Sequence, residues 1–504
     1  MYSQRDSLLP IMSRIDHIFH RCMSGPYKGE LTAQNVSLYL NSPYTIYCEK
    51  FVSEDEKDPR SPYRELLHER GQEHEKRVIE KEYPEFEAIT YKEPEEGFLR
   101  LLEEMARGAE VICGMPIFFL PENMQGRIDV LEKQTEQGSP FGAYHYVVKE
   151  IKLSKNIKEE HIIQGAFYTY VIAKIQQHLS ERFFIINRDY EEQEYRYKDY
   201  EADLAKAIKG TQAILDGAEE PTATYNGCDW PWQTYCNHQA LKNRDVSLVG
   251  NVGPKTKANL VAHGFKKIWD ISSAKIEDLQ KVRGIGTATA KKLILSAKAI
   301  KKRELILLDR SALKFPKKST EIFLDLEGTD QPGHEDEVGQ VDYLIGILIR
   351  KNGKEEYRPF IAHRFQDEAK MLRKFMRFIQ GQKDYVIYHW HNYERWHIKQ
   401  LGARHGLTAE VETLLLPHMI DLYKVAIKAF VFPTYSNGLK DIADFLGFKW
   451  RHEDINALDA IAYYLRYQED PESFKDKMQA IVDYNEDDCI ATRTVKDWLQ
   501  QKFS

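Results

Sequence analysis

The stretch Glu321-Ile322-Phe323-Leu324-Asp325-Leu326-Glu327-Gly328 places two carboxylates, two residues apart, inside an apolar run. Side chains alternate across an extended strand, so Asp325 and Glu327 share one face. Two carboxylates side by side on an otherwise buried strand are costly unless a cation neutralises them. This strand therefore reads as part of a metal site. Further on, helical spacing in the 478–489 segment puts Tyr484 and Asp488 on one face, four residues apart. Ile322–Leu326, Tyr343–Arg350 and Tyr385–Tyr388 read as strands, and helices are expected over Asp367–Gln380, Leu439–Leu446 and Lys475–Gln501. Strands first and helices later, in alternation, predict an α/β domain.

A strand Asp-x-Glu followed by a helical Tyr-x-x-x-Asp resembles the DEDD exonucleases of the RNase H-like fold, and more narrowly the YprB-type RNase H-like domain, over 318–504. The resemblance implies a phosphodiesterase site with two Mg²⁺ or Mn²⁺ ions held by Asp325, Glu327, Asp488 and a third acid, with Tyr484 positioning the water. Glu394, after the strand leading into His389-Trp390-His391-Asn392-Tyr393, is the choice for that acid, and Asp421 is the alternative. Asp487 adjoins Asp488, but the Tyr-x-x-x-Asp spacing selects Asp488.

A second acidic pattern lies in the N-terminal half. In Tyr146-Val147-Val148-Lys149-Glu150-Ile151-Lys152-Leu153, Glu150 and Lys152 fall on one strand face. Such a pair suits phosphodiester hydrolysis: the acid helps hold a divalent cation, and the lysine orients or activates water and neutralises phosphate charge. Asp129, on a preceding strand, would complete the metal pair. The ordered series Arg70-Gly71-Gln72-Glu73-His74-Glu75, Gly126-Arg127-Ile128-Asp129, Glu150-Ile151-Lys152 and Gln164-Gly165-Ala166-Phe167-Tyr168 resembles the RecB-like branch of the PD-(D/E)XK nucleases. That resemblance implies His74, Asp129 and Glu150 as metal ligands, Lys152 as the catalytic lysine, and Gln164 and Tyr168 as helix residues facing the site.

Many RecB-like relatives staple this domain with an iron–sulfur cluster held by one early cysteine and a later Cys-x-x-Cys…Cys group. Here Ser42 stands at the early position, and Cys228-Asp229-Trp230-Pro231-Trp232-Gln233-Thr234-Tyr235-Cys236 has Pro231 where a cysteine would stand. Two thiolates do not hold a four-ligand cluster, so the reading predicts none and a Trp-rich loop that closes the domain by packing. The six cysteines are also too few and too scattered for a disulfide framework.

Between the acidic patterns, Val282-Arg283-Gly284-Ile285-Gly286-Thr287 followed by Lys291 and Lys292 reads as a hairpin between helices, its glycines exposing backbone N–H groups to a phosphate. Val249-Gly250-Asn251-Val252-Gly253-Pro254-Lys255 is a second copy 33 residues earlier, with Asn251 in place of the first glycine. The pair resembles the tandem helix-hairpin-helix domain of DNA repair and recombination proteins. It implies a DNA contact through Gly253, Lys255, Gly284, Gly286, Lys291 and Lys292. From Asp245 to Arg303 there are 13 Lys and Arg against 4 Asp and Glu, in a chain of net charge −7. Locally basic and globally acidic suits an enzyme that grips a polyanion in one place and binds metals in others.

The 504 residues, 42% hydrophobic and 30% charged, predict several soluble domains. The expected fold is multidomain α/β: a PD-(D/E)XK restriction-endonuclease-like domain over 1–242, an all-α helix-hairpin-helix domain over 243–303, a linker over 304–317 and an RNase H-like domain over 318–504. No run is long enough to span a bilayer. The first six residues do not form a signal peptide, so a cytoplasmic protein is expected. Together these readings resemble a family of bacterial RecB-like nucleases. They predict a metal-dependent nuclease on DNA, single-stranded or end-bearing, in repair, recombination or defence. Without a phosphate-binding Gly-x-x-x-x-Gly-Lys-Ser/Thr loop, unwinding would need a separate helicase. The alternatives are a 3′–5′ RNA-processing exonuclease using only the C-terminal site, and a non-catalytic scaffold on branched DNA.

Overall fold

The computed structural model describes residues 5–250, 252–329, 340–452 and 455–501. Residues 1–4 of the leader reading and Asn251 of the first hairpin lie outside them. The chain forms two compact units. One comprises Met1–Pro59, Glu65–Ala223 and Gly227–Cys236; the other comprises Arg60–Arg64, Thr224–Asn226 and Asn237–Ser504. Among the described residues no helix is long and apolar enough to cross a membrane.

The first unit is built on a five-stranded sheet: β1 (Val111–Phe119), β2 (Met124–Gln134), β3 (His145–Ile151), β4 (Arg182–Ile186) and β5 (Glu192–Arg196), in that spatial order. The first three strands form an antiparallel meander. The Glu159–Gln176 helix then crosses over so that β4 runs parallel to β3. A parallel partner requires such a crossover, whereas a hairpin suffices between antiparallel strands. Strand β3 is buried along its whole length. Tyr146 and Val148 enter the main core with the Pro94–Arg107 helix, and Ile151 enters a smaller one with Val78, Val130 and Ile186.

The second unit begins with short helices around a core of Val246, Leu260, Ile271, Val282 and Leu293. Residues from Asn237 onward belong to this compact unit, where Leu241 packs on the same core and Asn237 bonds to Asn226. The segment expected as a linker is also structured. Strand β6 (Ile306–Leu307) pairs with β12 (Phe430–Val431), and Leu313 and Phe315 pack on the following domain.

That domain is a five-stranded sheet in the order β11-β10-β7-β8-β9. Its strands are β7 (Thr320–Gly328), β8 (Asp342–Lys351), β9 (Lys354–Ile361), β10 (Tyr385–His389) and β11 (Met419–Asp421). β7, β8 and β9 form an antiparallel meander, while β10 and β11 run parallel to β7. Ile322, Leu324 and Leu326 point into one core and Phe323 into the other, so the central strand is buried on both faces. The Lys475–Gln501 helix lies over β7 and β8 on the Phe323 side.

Candidate metal centre

Asp325 and Glu327 continue the Phe323 face toward the carboxyl end of the central strand, where the apolar packing stops. The long helix above brings Tyr484, Asn485 and Asp488 down onto them. Ligand oxygens of Asp325, Glu327 and Asp488 lie within 4.8 Å of one another, the one such group of three among the described residues.

Neutral donors fix this trio. Asn485 Nδ2 donates to Asp325 Oδ2 at 2.7 Å, and Tyr357 Oη, from β9, donates to Asn485 Oδ1 at 2.8 Å. Trp450 Nε1 donates to Asp488 Oδ1 at 2.7 Å, and the Tyr484 hydroxyl donates to the same carboxylate. Gly346, opposite Asp325 on β8, leaves room for this arrangement: a Cβ there would stand 1.5 Å from Asn485 Oδ1.

The electrostatics follow from burying like charges together. Burial first, then Asp488 and Glu327, hold Asp325 well above the usual carboxylate range. Burial and Asp488 push Glu327 up to about 8. Asp488 rises to about 6 through burial, restrained by the Trp450 bond, the Lys440 charge and the Tyr484 bond. Without a cation the cluster holds protons; with one, three carboxylate groups are set to bind it. The donor set, all oxygen, suits Mg²⁺ or Mn²⁺.

Of the two choices for a further acid, Glu394 is buried beside His389 Nδ1 (3.3 Å), with its carboxyl raised by burial, and its charge is felt at Asp325. It lies outside the trio. Asp421, opposite His389 on β11, caps the Leu422–Ala429 helix through Lys424 N and pairs with Lys424 Nζ at 3.2 Å. Asp487 is occupied by Arg451, whose backbone N and Nε donate to it at 2.7 and 2.8 Å.

In the first unit, the β2–β3 register continued by one residue sets Asp129 opposite Glu150. Ile151 N donates to Asp129 Oδ2 at 2.7 Å, and Lys152 Nζ lies 2.9 Å from Glu150 Oε2. Burial, then Glu150, raises Asp129 strongly; burial would lower Lys152, but Glu150 and Asp129 outweigh it. Tyr168 lies beside this pair. Its hydroxyl is raised by burial and both carboxylates and accepts the Arg127 N–H, and its ring occupies the space a Cβ at Gly126 would need. Gln164 instead donates to Ser37 Oγ at 3.0 Å. Glu150 Oε1 and His74 Nε2 are buried without hydrogen-bond partners. His74 packs edge-on against Tyr190, bonds to the Asn187 backbone, and is held neutral by burial. Glu75, unread in the sequence, pairs with Arg127 at 3.0 Å and adds its charge to Asp129 and Lys152.

Cys228 and Cys236 are joined in a disulfide, a pairing the sparse cysteines did not announce. Ser42 Oγ donates to Gly227 O at 2.9 Å, beside that bridge, and Cys48 is buried with its thiol pushed up to about 12 by desolvation. An alcohol and two bonded thiols do not fit a cluster needing four thiolates. The Trp-rich loop packs: Trp232 is fully buried and donates to Glu49 Oε1 at 2.8 Å, and Trp230 donates to Pro59 O at 2.7 Å.

In the basic segment Gly253 and Gly286 are the residues just before the Pro254–Ala262 and Thr287–Lys302 helices. Gly284 takes φ +88°, which favours glycine. A Cβ at any of the three would meet nothing within 4 Å, so these backbones face open space. Lys255, Lys291 and Lys292 are exposed, whereas Lys257 is buried against Asp245 at 3.0 Å.

A family model of the RNase H superfamily matches residues 322–500, and one of the SAM-like helix-hairpin-helix tandem matches residues 244–299. No curated protein and no solved structure shows a match to the chain. The chain therefore carries a tandem helix-hairpin-helix domain followed by an RNase H superfamily domain.

Proposed function

We propose that this protein is a metal-dependent nuclease that hydrolyses phosphodiester bonds of DNA, single-stranded or end-bearing, in repair, recombination or defence, with a distinct site in each unit. The convergence of Asp325, Glu327 and Asp488 carries the reading. Three raised carboxyls on a buried strand and helix are a poor structural device and a good cation cradle. Bound Mg²⁺ or Mn²⁺ would activate water and offset charge on the phosphate. The chain's own residues orient that chemistry: Asn485 and Trp450 hold the carboxylates, Tyr484 positions the water, and Glu394 is the further acid. The exposed hairpin backbones, with Lys255, Lys291 and Lys292, would bind the phosphate chain without reading bases.

For the first unit, the meander followed by a helical crossover, the Asp129–Glu150–Lys152 cluster and the two unpartnered buried atoms support a RecB-like PD-(D/E)XK site with His74 as the remaining ligand. One observation favours a second reading. His74, Asp129 and Glu150 do not form a group as close as the C-terminal trio, which suits action through the C-terminal site alone, as the RNA-exonuclease alternative requires.

Competition between labelled DNA and RNA, with wild type, Lys152→Ala and Asp325→Ala in Mg²⁺ or Mn²⁺, tests both. Two sites on DNA predict that each substitution removes part of the DNA cleavage, Asp325→Ala by about 10³-fold for its own products. Loss only with Asp325→Ala and a preference for RNA would favour the second reading. Cleavage unchanged by either would reject the nuclease assignment.

A further inference from the structure

Lys440 is the second residue of the Leu439–Phe445 helix. Ile442 and Ala443 anchor that helix in the core, and Ser436 ties the preceding turn through Asp441 and Gly438 N. Lys440 itself is exposed. Its Nζ stands 4.9 Å from the Tyr484 ring centroid and 5.9 Å from that of Trp450. Those are the two side chains that donate to Asp488, so the ammonium sits at the rim of the carboxylate trio. Its charge reaches Glu327 and Asp488. Nearby cations are taken: Lys449 pairs with Asp444, and Arg451 with Asp487 and Glu486. Among the described residues no carboxylate lies within ion-pair distance of Lys440.

We propose that Lys440 is a substrate-binding residue of the C-terminal site, whose ammonium holds a phosphate of the nucleic acid as it enters the carboxylate trio. The proposal rests on the nuclease reading of that site. Three physical points support it. An ammonium on a flexible stem is a compact point charge suited to a phosphate oxygen. Two aromatic faces aim it without neutralising it, since a cation–π contact leaves the full charge available. Phosphoryl transfer also depends on positioning and on charges fixed around the equatorial oxygens, to which a cation at the rim adds beyond a carboxylate-bound metal.

The test uses the full-length chain and a single-stranded oligonucleotide, with one linkage at a time replaced by a neutral methylphosphonate. Lys440→Ala is expected to lower kcat/KM by about 10- to 100-fold, the range for a charged hydrogen bond. Lys440→Arg should stay within a few-fold of wild type. The alanine penalty should collapse at one methylphosphonate position and persist at the others, as a double-mutant cycle requires of two groups in contact. Mn²⁺ affinity should hold or rise in Lys440→Ala, because a cation leaves the rim; a merely structural role would lower it. Wild-type cleavage by Lys440→Ala, or an equal penalty at every methylphosphonate position, would overturn the proposal. The nuclease reading fails separately, if wild type shows no metal-dependent cleavage that Asp325→Ala removes. Equilibrium binding of the same series in Ca²⁺ then decides on Lys440: the collapse at one position upholds the contact, and no difference between wild type and Lys440→Ala rejects it.

Discussion

The two acidic sites answer the same physical problem in opposite ways. Around Glu150 the chain supplies its own counter-charge, with Lys152 at 2.9 Å and a backbone N–H on Asp129. Around Asp325 the hydrogen-bond donors are neutral, from Asn485, Trp450 and Tyr484, Lys440 acts on the carboxyls only from the rim, and these keep protons, Asp488 to about 6 and Glu327 to about 8. A site with an internal cation is balanced in part when empty, though Asp129 is still raised. One whose nearest cation stands only at the rim is balanced by protons, and a bound metal would compete with them.

Removing the internal cation should make the first site behave like the second. Lys152→Met is expected to cost roughly 3 kcal/mol of stability at neutral pH, because Glu150 and Asp129 are left buried and uncompensated. The loss should shrink as pH falls and Asp129, already raised by burial and by Glu150, protonates. Chemical denaturation at two pH values checks it, and an equal loss at both would dissolve the contrast.

The second site should show the competition directly. Its carboxyls are raised in the folded state, so the metal-free protein binds more protons folded than unfolded. Its stability is therefore highest near the unfolded carboxyl value and declines as pH rises through about 6 and about 8. Metal reverses this. Mn²⁺ at about 100 times its dissociation constant should add roughly 2.7 kcal/mol, and a fixed concentration should stabilise more at pH 8 than at pH 6. Asp325→Asn should abolish the gain while making the metal-free protein less pH-sensitive. Differential scanning calorimetry reads all three.

Smaller effects sharpen the role of the neutral donors. Gly346→Ala places a methyl where Asn485 sits, and should cost about 1–3 kcal/mol and weaken metal binding together. Trp450→Phe removes one donor from Asp488 and costs about 1 kcal/mol. It should move the acid limb of Mn²⁺ binding to higher pH in a titration followed by calorimetry, because Asp488 then holds its proton more tightly.

These contrasts explain which features were legible in sequence. Asp325 with Glu327, and Tyr484 with Asp488, follow from the two local periods, 2 along a strand and 3.6 along a helix. Those periods place each pair on a face but do not say that the two faces meet. Asn485, Trp450, Tyr357 and Lys440 were not read, since their partners lie far away in the chain and no short motif links them. One signal was available: Gly346 inside an apolar strand marks a close approach, and here Asn485 is what approaches. Strand β9 was missed because its exposed, charged residues show little of the apolar alternation that marks a half-buried strand. In the first unit the order of motifs led to Asp129, Glu150 and Lys152, but helical spacing put Gln164 beside Tyr168 without revealing that its amide bonds to Ser37. That Asp421 caps a helix and pairs with Lys424, while Glu394 sits beside His389, is a matter of three-dimensional context that composition does not carry.

The short pairing of β6 with β12 has a practical reach beyond its size. A fragment cut at 318, where the sequence suggests the catalytic domain begins, would strip the edge from Phe430 and Val431 and remove Phe315 from the ring of Tyr388. Such a piece would bare a sticky apolar seam and tend to self-associate. A piece that keeps this seam starts no later than 304, just after the last basic helix, so the segment that looks like spare tether belongs to the fold it precedes.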